Sequence, residues 1–315
     1  MISFHAESIS TATKPFDPPA DHPSGGVHVG AGYLIHSGDA PHTFPSGERH
    51  VFNRARPDFE VPTYVDIRGT DANEFVQAAM WADMQHDKGH KVTAVIPFLV
   101  GARQDHEEEF HARAYAKLVN AIGADKVVAF DTHSHVIEGL IENLTVVTSG
   151  RLIRKAVIGK DPMNSPYTGI IAPDAGAKER TKLIAQMAHL PVHQALKHRD
   201  PRTGKLDGFS CDALDPNGKY LVVDDICDGG GTFMGLADAT GLGPDQLDLF
   251  VSHGVFSGRA AQLRERYGHI FTTDSLPTAS NPEVGAKVIP VFPYLQTDIP
   301  QHQNVPASTL EGARA

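Results

Sequence analysis

The 315-residue sequence contains only two cysteines, Cys211 and Cys227, and they do not form a CxxC pair. Two separated cysteines supply neither the disulfide framework of a small secreted domain nor the thiolate set of a structural zinc site. We therefore expect a protein of a reducing compartment, and a cytoplasmic location fits that expectation.

Long apolar runs and an excess of positive charge are also missing. No stretch approaches the roughly 18 apolar residues of a transmembrane helix. The N-terminus has no basic segment followed by an apolar one, so no secretory signal is predicted. The sequence has 28 Lys and Arg residues against 38 Asp and Glu, a net charge of −10, which disfavours nucleic acid as a partner. We expect neither a membrane nor a nucleic-acid partner.

From about residue 61 onward, short β-branched runs alternate with helix-like segments. This pattern predicts an α/β protein with a mainly parallel sheet covered by helices. The predicted strands are 92–96, 127–130, 169–172, 220–223, 247–251 and 288–291. The predicted helices are 73–86, 110–122, 177–189 and 232–239.

The chain is long enough for two α/β domains, because single cores usually stop growing at about 250–300 residues. We place the boundary near residue 150, which gives domains 1–150 and 151–315. Proline and glycine clusters make the opening segment, 1–26, a predicted loop or loose arm. The tail after about residue 295 is predicted to be loose as well.

Three predicted strands run directly into acidic or histidine residues. One leads to Asp131 and His133, the next to Asp174, and the third to Asp224 and Asp225. Ligands of open parallel sheets collect beyond the carboxyl ends of the strands, where helix N-termini also point. These residues are therefore candidates for a binding site.

The third of these segments, LVVDDICDGGGTF at 221–233, carries the strongest signal. Its glycines allow successive backbone N–H groups to curl around an anion, and Thr232 can cap the following helix. The paired carboxylates suit ribose hydroxyls or a hard cation such as Mg²⁺. A tight connection between strand and helix is the structural alternative. The sequence has no GxxxxGK[ST] motif and no GxGxxG after a strand with an acid about 20 residues on, so P-loop and dinucleotide sites are disfavoured.

The segment DDICDGGGT resembles the phosphoribosyl-diphosphate (PRPP) loop of type I phosphoribosyltransferases and PRPP synthetases. Further segments, in the same order, resemble the synthetases, which are also called ribose-phosphate pyrophosphokinases: FPSGE (44–48), TAVIPFLVGARQD (93–105), AKLVNAIGADKVVAFDTHS (116–134), APDAGAKER (172–180) and SHGVFSG (252–258). The resemblance implies two type I phosphoribosyltransferase-like domains with an active site in the cleft, in a homo-oligomer, either a dimer or a hexamer. It also implies ATP-dependent transfer of diphosphate to the anomeric hydroxyl of ribose 5-phosphate, giving 5-phosphoribosyl 1-diphosphate and AMP.

The same resemblance implies roles for residues on the ATP side. Arg103 and Gln104 would hold ATP, and His133 would contact the Mg–ATP complex. Phe44 and Glu48 would reach the adenine from a neighbouring subunit.

On the transfer side, Asp174 would be a metal or ribose ligand, so His133 and Asp174 are the metal candidates. Lys197 and Arg199 would be catalytic residues on a mobile loop after a strand. Asp224 and Asp225 would hold the ribose hydroxyls, directly or through a cation. The 5-phosphate would be held by Asp228, Gly229, Gly230, Gly231 and Thr232.

Two departures from the family pattern leave alternatives open. Gly229 replaces the first threonine of the usual Asp-Thr-x-Gly-Thr loop, and the acidic run at 107–109 lies where synthetases usually carry basic residues. One alternative is a pyrophosphokinase that acts on ADP-ribose or a similar ribose 5-phosphate ester. The others are a non-catalytic synthetase-associated subunit and a true phosphoribosyltransferase. Retention of Lys197 and Arg199 argues against a non-catalytic subunit. The segments FPSGE and ARQD have no role in a phosphoribosyltransferase.

Overall fold

The computed structural model describes residues 2–8, 28–29, 32–36, 40–52, 62–104, 111–159, 161, 164–199 and 206–295. Its strands are β1 Ile2–Ser8, β2 His28–Val29, β3 Gly32–His36, β4 Ala40–Thr43, β5 Arg49–Phe52, β6 Pro62–Ile67, β7 Thr93–Ile96, β8 Lys126–Phe130, β9 Leu144–Val147, β10 Gly169–Ala172, β11 Val192–Arg199, β12 Leu206–Cys211, β13 Tyr220–Cys227, β14 Leu247–Gly254, β15 His269–Thr273 and β16 Lys287–Ile289. Its α-helices are α1 Ala72–His86, α2 Ala112–Asn120, α3 His135–Glu138, α4 Gly150–Ile153, α5 Lys178–Ala188, α6 Gly231–Thr240 and α7 Phe292–Leu295. This alternation confirms the α/β class.

The first sheet has the order β2-β3-β1-β6-β7-β8-β9. The strands from β6 to β9 are parallel, and β1 joins the sheet antiparallel to β3 and β6. The four residues of β7, TAVI, are all buried, as expected for a strand that helices cover on both faces. A separate ribbon pairs β4 with β5.

The second sheet has the order β12-β11-β10-β13-β14-β15-β16. Every neighbouring pair in it is parallel except β11 and β12, which are antiparallel. Strand β14, next to the central strand β13, is buried along its whole length. The carboxyl ends of β10 and β13 lie side by side because these strands are adjacent and parallel, so the loops that follow them share one edge of the sheet.

Side chains from both sheets share one apolar cluster. It contains Val128 of β8 together with Ile170 and Val223 of the second sheet. Tyr64 of β6 stacks on Phe292 of α7 with ring centroids 5.3 Å apart. The helix nearest the end of the described chain therefore packs against the first sheet, and burial of this cluster holds the two sheets together.

All six strands and all four helices predicted from the sequence are present, with ends shifted by a few residues. The loop prediction for the opening segment is wrong for residues 2–8, which form β1 and pair with β3 and β6. Residues 9–27 and 296–315 lie outside the described part. The domain boundary near residue 150 stays a prediction. Within the described ranges, no helix has both the length and the apolar character needed to span a bilayer.

The buried side chain of His253, on β14, ties the second sheet to the loop after β8. Its Nε2 lies 3.1 Å from the carbonyl oxygen of Phe130 and 3.3 Å from that of Asp131, and its Nδ1 lies 2.8 Å from Ser275 Oγ. Burial lowers the pKa of this imidazole, and the charge of Asp131 only partly opposes the shift. The folded protein therefore keeps His253 neutral near pH 7.

Replacing His253 by alanine should reduce the free energy of unfolding by about 3 kcal/mol at neutral pH, because it opens a cavity and removes partners from buried polar groups. The unfolded chain takes up a proton on this histidine below about pH 6.5, whereas the folded state does so only at lower pH. The advantage of the wild-type protein should therefore shrink as the pH falls below about 6.5. Urea unfolding above and below that pH measures both effects.

His135→Ala is the matched control, because the His135 side chain is 96% exposed. Its effect should stay within about 0.5 kcal/mol. A cost at His253 no larger than that at His135 would show that the buried imidazole does not connect the two sheets.

Candidate active site

A pocket of about 360 Å³ opens where the loops after β8 and β10 meet the end of β13. Sequence-predicted site residues from all three segments, and from β11 and the 101–104 turn, line it. These residues are Arg103, His133, Asp174, Lys197, Asp224, Asp225, Asp228, Gly229, Gly230, Gly231 and Thr232. Side chains that follow or end three different strands therefore share one pocket.

Asp224 and Asp225 lie within β13 rather than after it, because the strand continues to Cys227. Asp225 accepts a hydrogen bond from His133 Nδ1 at 2.7 Å. Burial alone would raise the pKa of Asp225, but the His133 hydrogen bond and the charge of Arg180 outweigh it and hold the pKa far below its ordinary value. Burial and the neighbouring charges of Asp225 and Asp174 raise the pKa of Asp224 instead. The pair thus combines one firmly ionised carboxylate with one that would gain from an added cation.

Arg180, in the first turn of α5, is the site residue that sequence reasoning missed. Its Nε lies 3.2 Å from Asp131 Oδ1, its Nη2 3.3 Å from Asp225 Oδ2, and its Nη1 3.7 Å from Asp224 Oδ1. The only signal was its place in the APDAGAKER segment. Its guanidinium partly neutralises carboxylates that come from both sheets.

Lys197 and Asp174 form an ion pair, with Nζ 2.6 Å from Asp174 Oδ2. Burial opposes the shift, but the hydrogen bond and charge of Lys197 lower the pKa of Asp174. Asp174 also accepts from the backbone N–H of Ala177, the residue before α5, at 3.1 Å. The family resemblance implied that Lys197 lies on a mobile loop. In the structure, Lys197 instead belongs to β11 and pairs with Phe209 of β12.

The glycine turn leads into helix α6. Gly230 is the residue before the helix, with φ at +78°, and Gly231 is the first helical residue. Thr232 therefore lies inside the first turn and does not cap the helix, contrary to the sequence prediction. The first N–H groups of a helix have no partner within it, and the turn that carries them lines the pocket. This arrangement suits a phosphate group.

Arg103 reaches the glycine turn from the first sheet's side of the pocket. Its Nη1 lies 3.1 Å from Asp228 Oδ2, and Ser257 Oγ donates to Asp228 Oδ1 at 2.5 Å. These two hydrogen bonds, first from Ser257 and then from Arg103, lower the pKa of Asp228. About half of the Arg103 side chain is exposed, so a ligand entering the pocket can compete for this contact.

Other predicted residues lie apart from the pocket or outside the described side chains. Phe44 and Glu48 lie at the turn between β4 and β5, where Phe44 is 41% exposed. Gln104 is adjacent to residues 105–110, which lie outside the described part together with the acidic run, and it does not line the pocket. The side chain of Arg199 is also outside the described part, although its backbone ends β11.

The two metal candidates have different partners. His133 pairs with Asp225, and Asp174 pairs with Lys197. Among the described residues, no group of three His, Cys, Asp or Glu side chains is arranged to hold a metal ion. The assignment of His133 and Asp174 as metal ligands stays a prediction.

The glycine turn allows a sharp stability test. In Gly230→Ala, the new Cβ would lie 3.2 Å from Leu263 Cγ at a positive φ, and this change should cost about 1–3 kcal/mol. In Gly231→Ala, the Cβ meets nothing within 4 Å and lies in a helix, so stability should rise by up to about 1 kcal/mol. Urea unfolding of both variants measures whether the free energy of unfolding falls or rises in each. Equal changes in the two variants would contradict this turn geometry.

Known proteins resemble this chain in sequence. No family model matches the sequence. Curated proteins named ribose-phosphate pyrophosphokinase match it from Bradyrhizobium diazoefficiens (28% identical, 62% of this chain and 63% of that one), Hyphomonas neptunium (26%, 67% and 70%) and Aquifex aeolicus (24%, 80% and 84%). The chain thus spans slightly less than two thirds of the Bradyrhizobium protein.

A solved structure shares the fold along nearly the whole chain. The crystal structure of phosphoribosylpyrophosphate synthetase from Mycobacterium smegmatis superposes with a TM-score of 0.66 at 20% identity, covering 89% of this chain and 92% of that one. The fold is therefore of the type I phosphoribosyltransferase-like kind. Both comparisons thus find proteins of one kind: the chain is similar in sequence to ribose-phosphate pyrophosphokinases and shares its fold with a phosphoribosylpyrophosphate synthetase.

Proposed function

We propose that this protein transfers the diphosphate of ATP to the anomeric hydroxyl of ribose 5-phosphate, giving 5-phosphoribosyl 1-diphosphate and AMP. The observation that carries the proposal is the glycine turn at the start of α6, directly after the paired carboxylates of β13 and opposite Arg103 and Lys197 in one pocket. The similar proteins are named ribose-phosphate pyrophosphokinase, and this name supports the same reaction.

The acceptor sugar would lie along β13 and the glycine turn. Asp224 and Asp225 would accept hydrogen bonds from the ribose hydroxyls. The 5-phosphate would bind at the start of α6, on Asp228, Gly229, Gly230, Gly231 and Thr232, where helix N–H groups and the helix dipole favour an anion.

ATP would enter from the side of the first sheet. Arg103 would leave Asp228 for the triphosphate, with Gln104 beside it and His133 facing the same pocket. Phe44 and Glu48 lie on an exposed turn away from the pocket. That position fits a contact with the adenine of a neighbouring subunit, and we therefore propose a homo-oligomer.

The donor set also fits Mg²⁺. Asp174, Asp224 and Asp225 offer carboxylate oxygens in one pocket, and burial beside other acids raises the pKa of Asp224. Mg²⁺ is usually held by one or two carboxylates together with substrate phosphates, so few protein ligands suffice. When bound, the ion would neutralise charge on the triphosphate. Asp174 and His133 are the proposed protein ligands.

The transfer itself requires positioning and positive charge rather than a covalent intermediate. The ribose 1-hydroxyl would lose its proton to solvent, and its oxygen would bond to the β-phosphorus of ATP while the bond from that phosphorus to the α–β bridging oxygen breaks. Lys197 would leave Asp174 and bind the phosphates. Together with Arg199, it would stabilise the negative charge that develops on the phosphate oxygens. AMP would leave with the former bridging oxygen.

The purified protein, incubated with Mg–ATP and ribose 5-phosphate, should form AMP and 5-phosphoribosyl 1-diphosphate in equal amounts, which phosphorus NMR resolves. A parallel incubation with ADP-ribose as the acceptor separates the two pyrophosphokinase alternatives. If AMP forms with ADP-ribose but not with ribose 5-phosphate, the acceptor is ADP-ribose and not the one proposed. Absence of AMP with both acceptors would contradict the proposed reaction.

Replacing Lys197 and Arg199 together by alanine should lower kcat by at least about 1,000-fold, because each cation acts on the transition state. Lys182→Ala is the matched control, since Lys182 pairs with Glu179 on the exposed side of α5. The control should keep wild-type kcat, and circular dichroism should show that both proteins are folded. A double variant with undiminished kcat would remove these residues from the mechanism.

A further inference from the structure

Arg180 connects three segments that reach the pocket. Its Nη2 lies 3.3 Å from the carbonyl oxygen of Thr132 as well as 3.3 Å from Asp225 Oδ2. Its Nε lies 3.2 Å from Asp131 Oδ1. The loop after β8, the first turn of α5 and the end of β13 are therefore joined through one side chain.

The site of this guanidinium is enclosed and acidic. Arg180 is 18% exposed, and its partners Asp131 and Asp225 are 4% and 6% exposed. Buried carboxylates are tolerated only when paired, and loss of the partner of a buried charge is costly. The positions of Asp131 and Asp225 thus depend on the cation between them.

We propose that Arg180 is a positioning residue for the reaction: it fixes the ribose-binding carboxylates of β13 against the loop that carries His133. This inference rests on the proposed function. Asp225 is the shared point, because its Oδ2 accepts from both His133 and Arg180. Movement of Asp225 would therefore shift the sugar side and the ATP side of the pocket together.

The geometry requires an arginine. The guanidinium directs Nε to Asp131, Nη2 to Asp225 and Nη1 to Asp224. These three nitrogens lie in the single plane of the group. A lysine ammonium is a single point charge on a flexible stem and cannot reproduce this fork. The charge alone is therefore insufficient, and the direction of the donors matters.

The test uses Arg180→Lys and Arg180→Ala in the full-length protein, with Arg266→Ala as the matched control. Arg266 pairs with Asp238 on an exposed surface, away from the pocket. A misplacement of about 1 Å can cost about 100-fold in rate. We expect kcat to fall about 100-fold in Arg180→Ala and at least about 10-fold in Arg180→Lys, with a smaller change in the KM for ribose 5-phosphate and wild-type kinetics in the control.

Chemical rescue separates positioning from folding. Millimolar guanidinium chloride should restore part of kcat in Arg180→Ala, and it should not affect Lys197→Ala. Wild-type kcat in Arg180→Lys would overturn the inference, and so would a loss in Arg180→Ala that guanidinium leaves unchanged. If Arg180→Ala does not fold, the kcat of Arg180→Lys alone tests the inference. An inactive wild-type protein would instead refute the proposed function, so the two failures are distinguishable.

Discussion

Arg180 lies between the loop that follows β8 and the end of β13, and its guanidinium contacts carboxylates from both. These carboxylates are almost completely buried, and without a cation between them their mutual repulsion and desolvation would oppose the packing of the two sheets. Ser252 of β14 donates to the other oxygen of Asp131, and His253 beside it holds the backbone of the same loop. The relative position of the two sheets at the pocket is thus fixed by polar contacts as well as by the shared apolar cluster.

The other side chains of the pocket follow from this placement. With the β8 loop held against β13, His133 reaches Asp225 and the glycine turn faces Arg103. Each cation proposed to act on phosphate, where its side chain is described, is paired with an acid of the pocket: Arg103 with Asp228, and Lys197 with Asp174. The side chains of both ion pairs are partly exposed, so we expect phosphate groups to compete with the carboxylates for these cations. The two ion pairs thus hold Arg103 and Lys197 at the pocket and leave both cations available to phosphate groups.

Most of the strands predicted from the sequence are continuous apolar runs, whereas the strands that were not predicted include β1 and β11, which contain several polar residues. β14, LDLFVSHG, is buried throughout, and its apolar first half marked it as a strand. β11, VHQALKHR, mixes polar and apolar residues without regular alternation and ends in basic ones, so it looked like a loop. Its strand character comes from pairing with β10 on one side and β12 on the other. β1, ISFHAES, was missed for another reason: its residues alternate apolar and polar, but the proline-rich stretch that follows made the opening segment look like a loop, and its partners β3 and β6 are distant in sequence.

The candidate site was predicted where a residue follows a strand or belongs to a recognisable segment. Asp174, Asp224 and His133 are examples. Arg180 belongs to the APDAGAKER segment, but no role was predicted for it, because a basic residue in the first turn of a helix usually faces solvent. Its partners Asp131 and Asp225 are 49 and 45 residues away along the chain. Only the packing of the two sheets reveals that these charges belong together.

A crystal structure with ribose 5-phosphate and a non-hydrolysable ATP analogue would test the central claim most directly. The expected result has the 5-phosphate on the turn that precedes α6, the ribose hydroxyls on Asp224 and Asp225, and the analogue's phosphates on Arg103 after its release from Asp228. A sugar phosphate bound elsewhere, with the turn empty and the contact between Arg103 and Asp228 unchanged, would contradict the account.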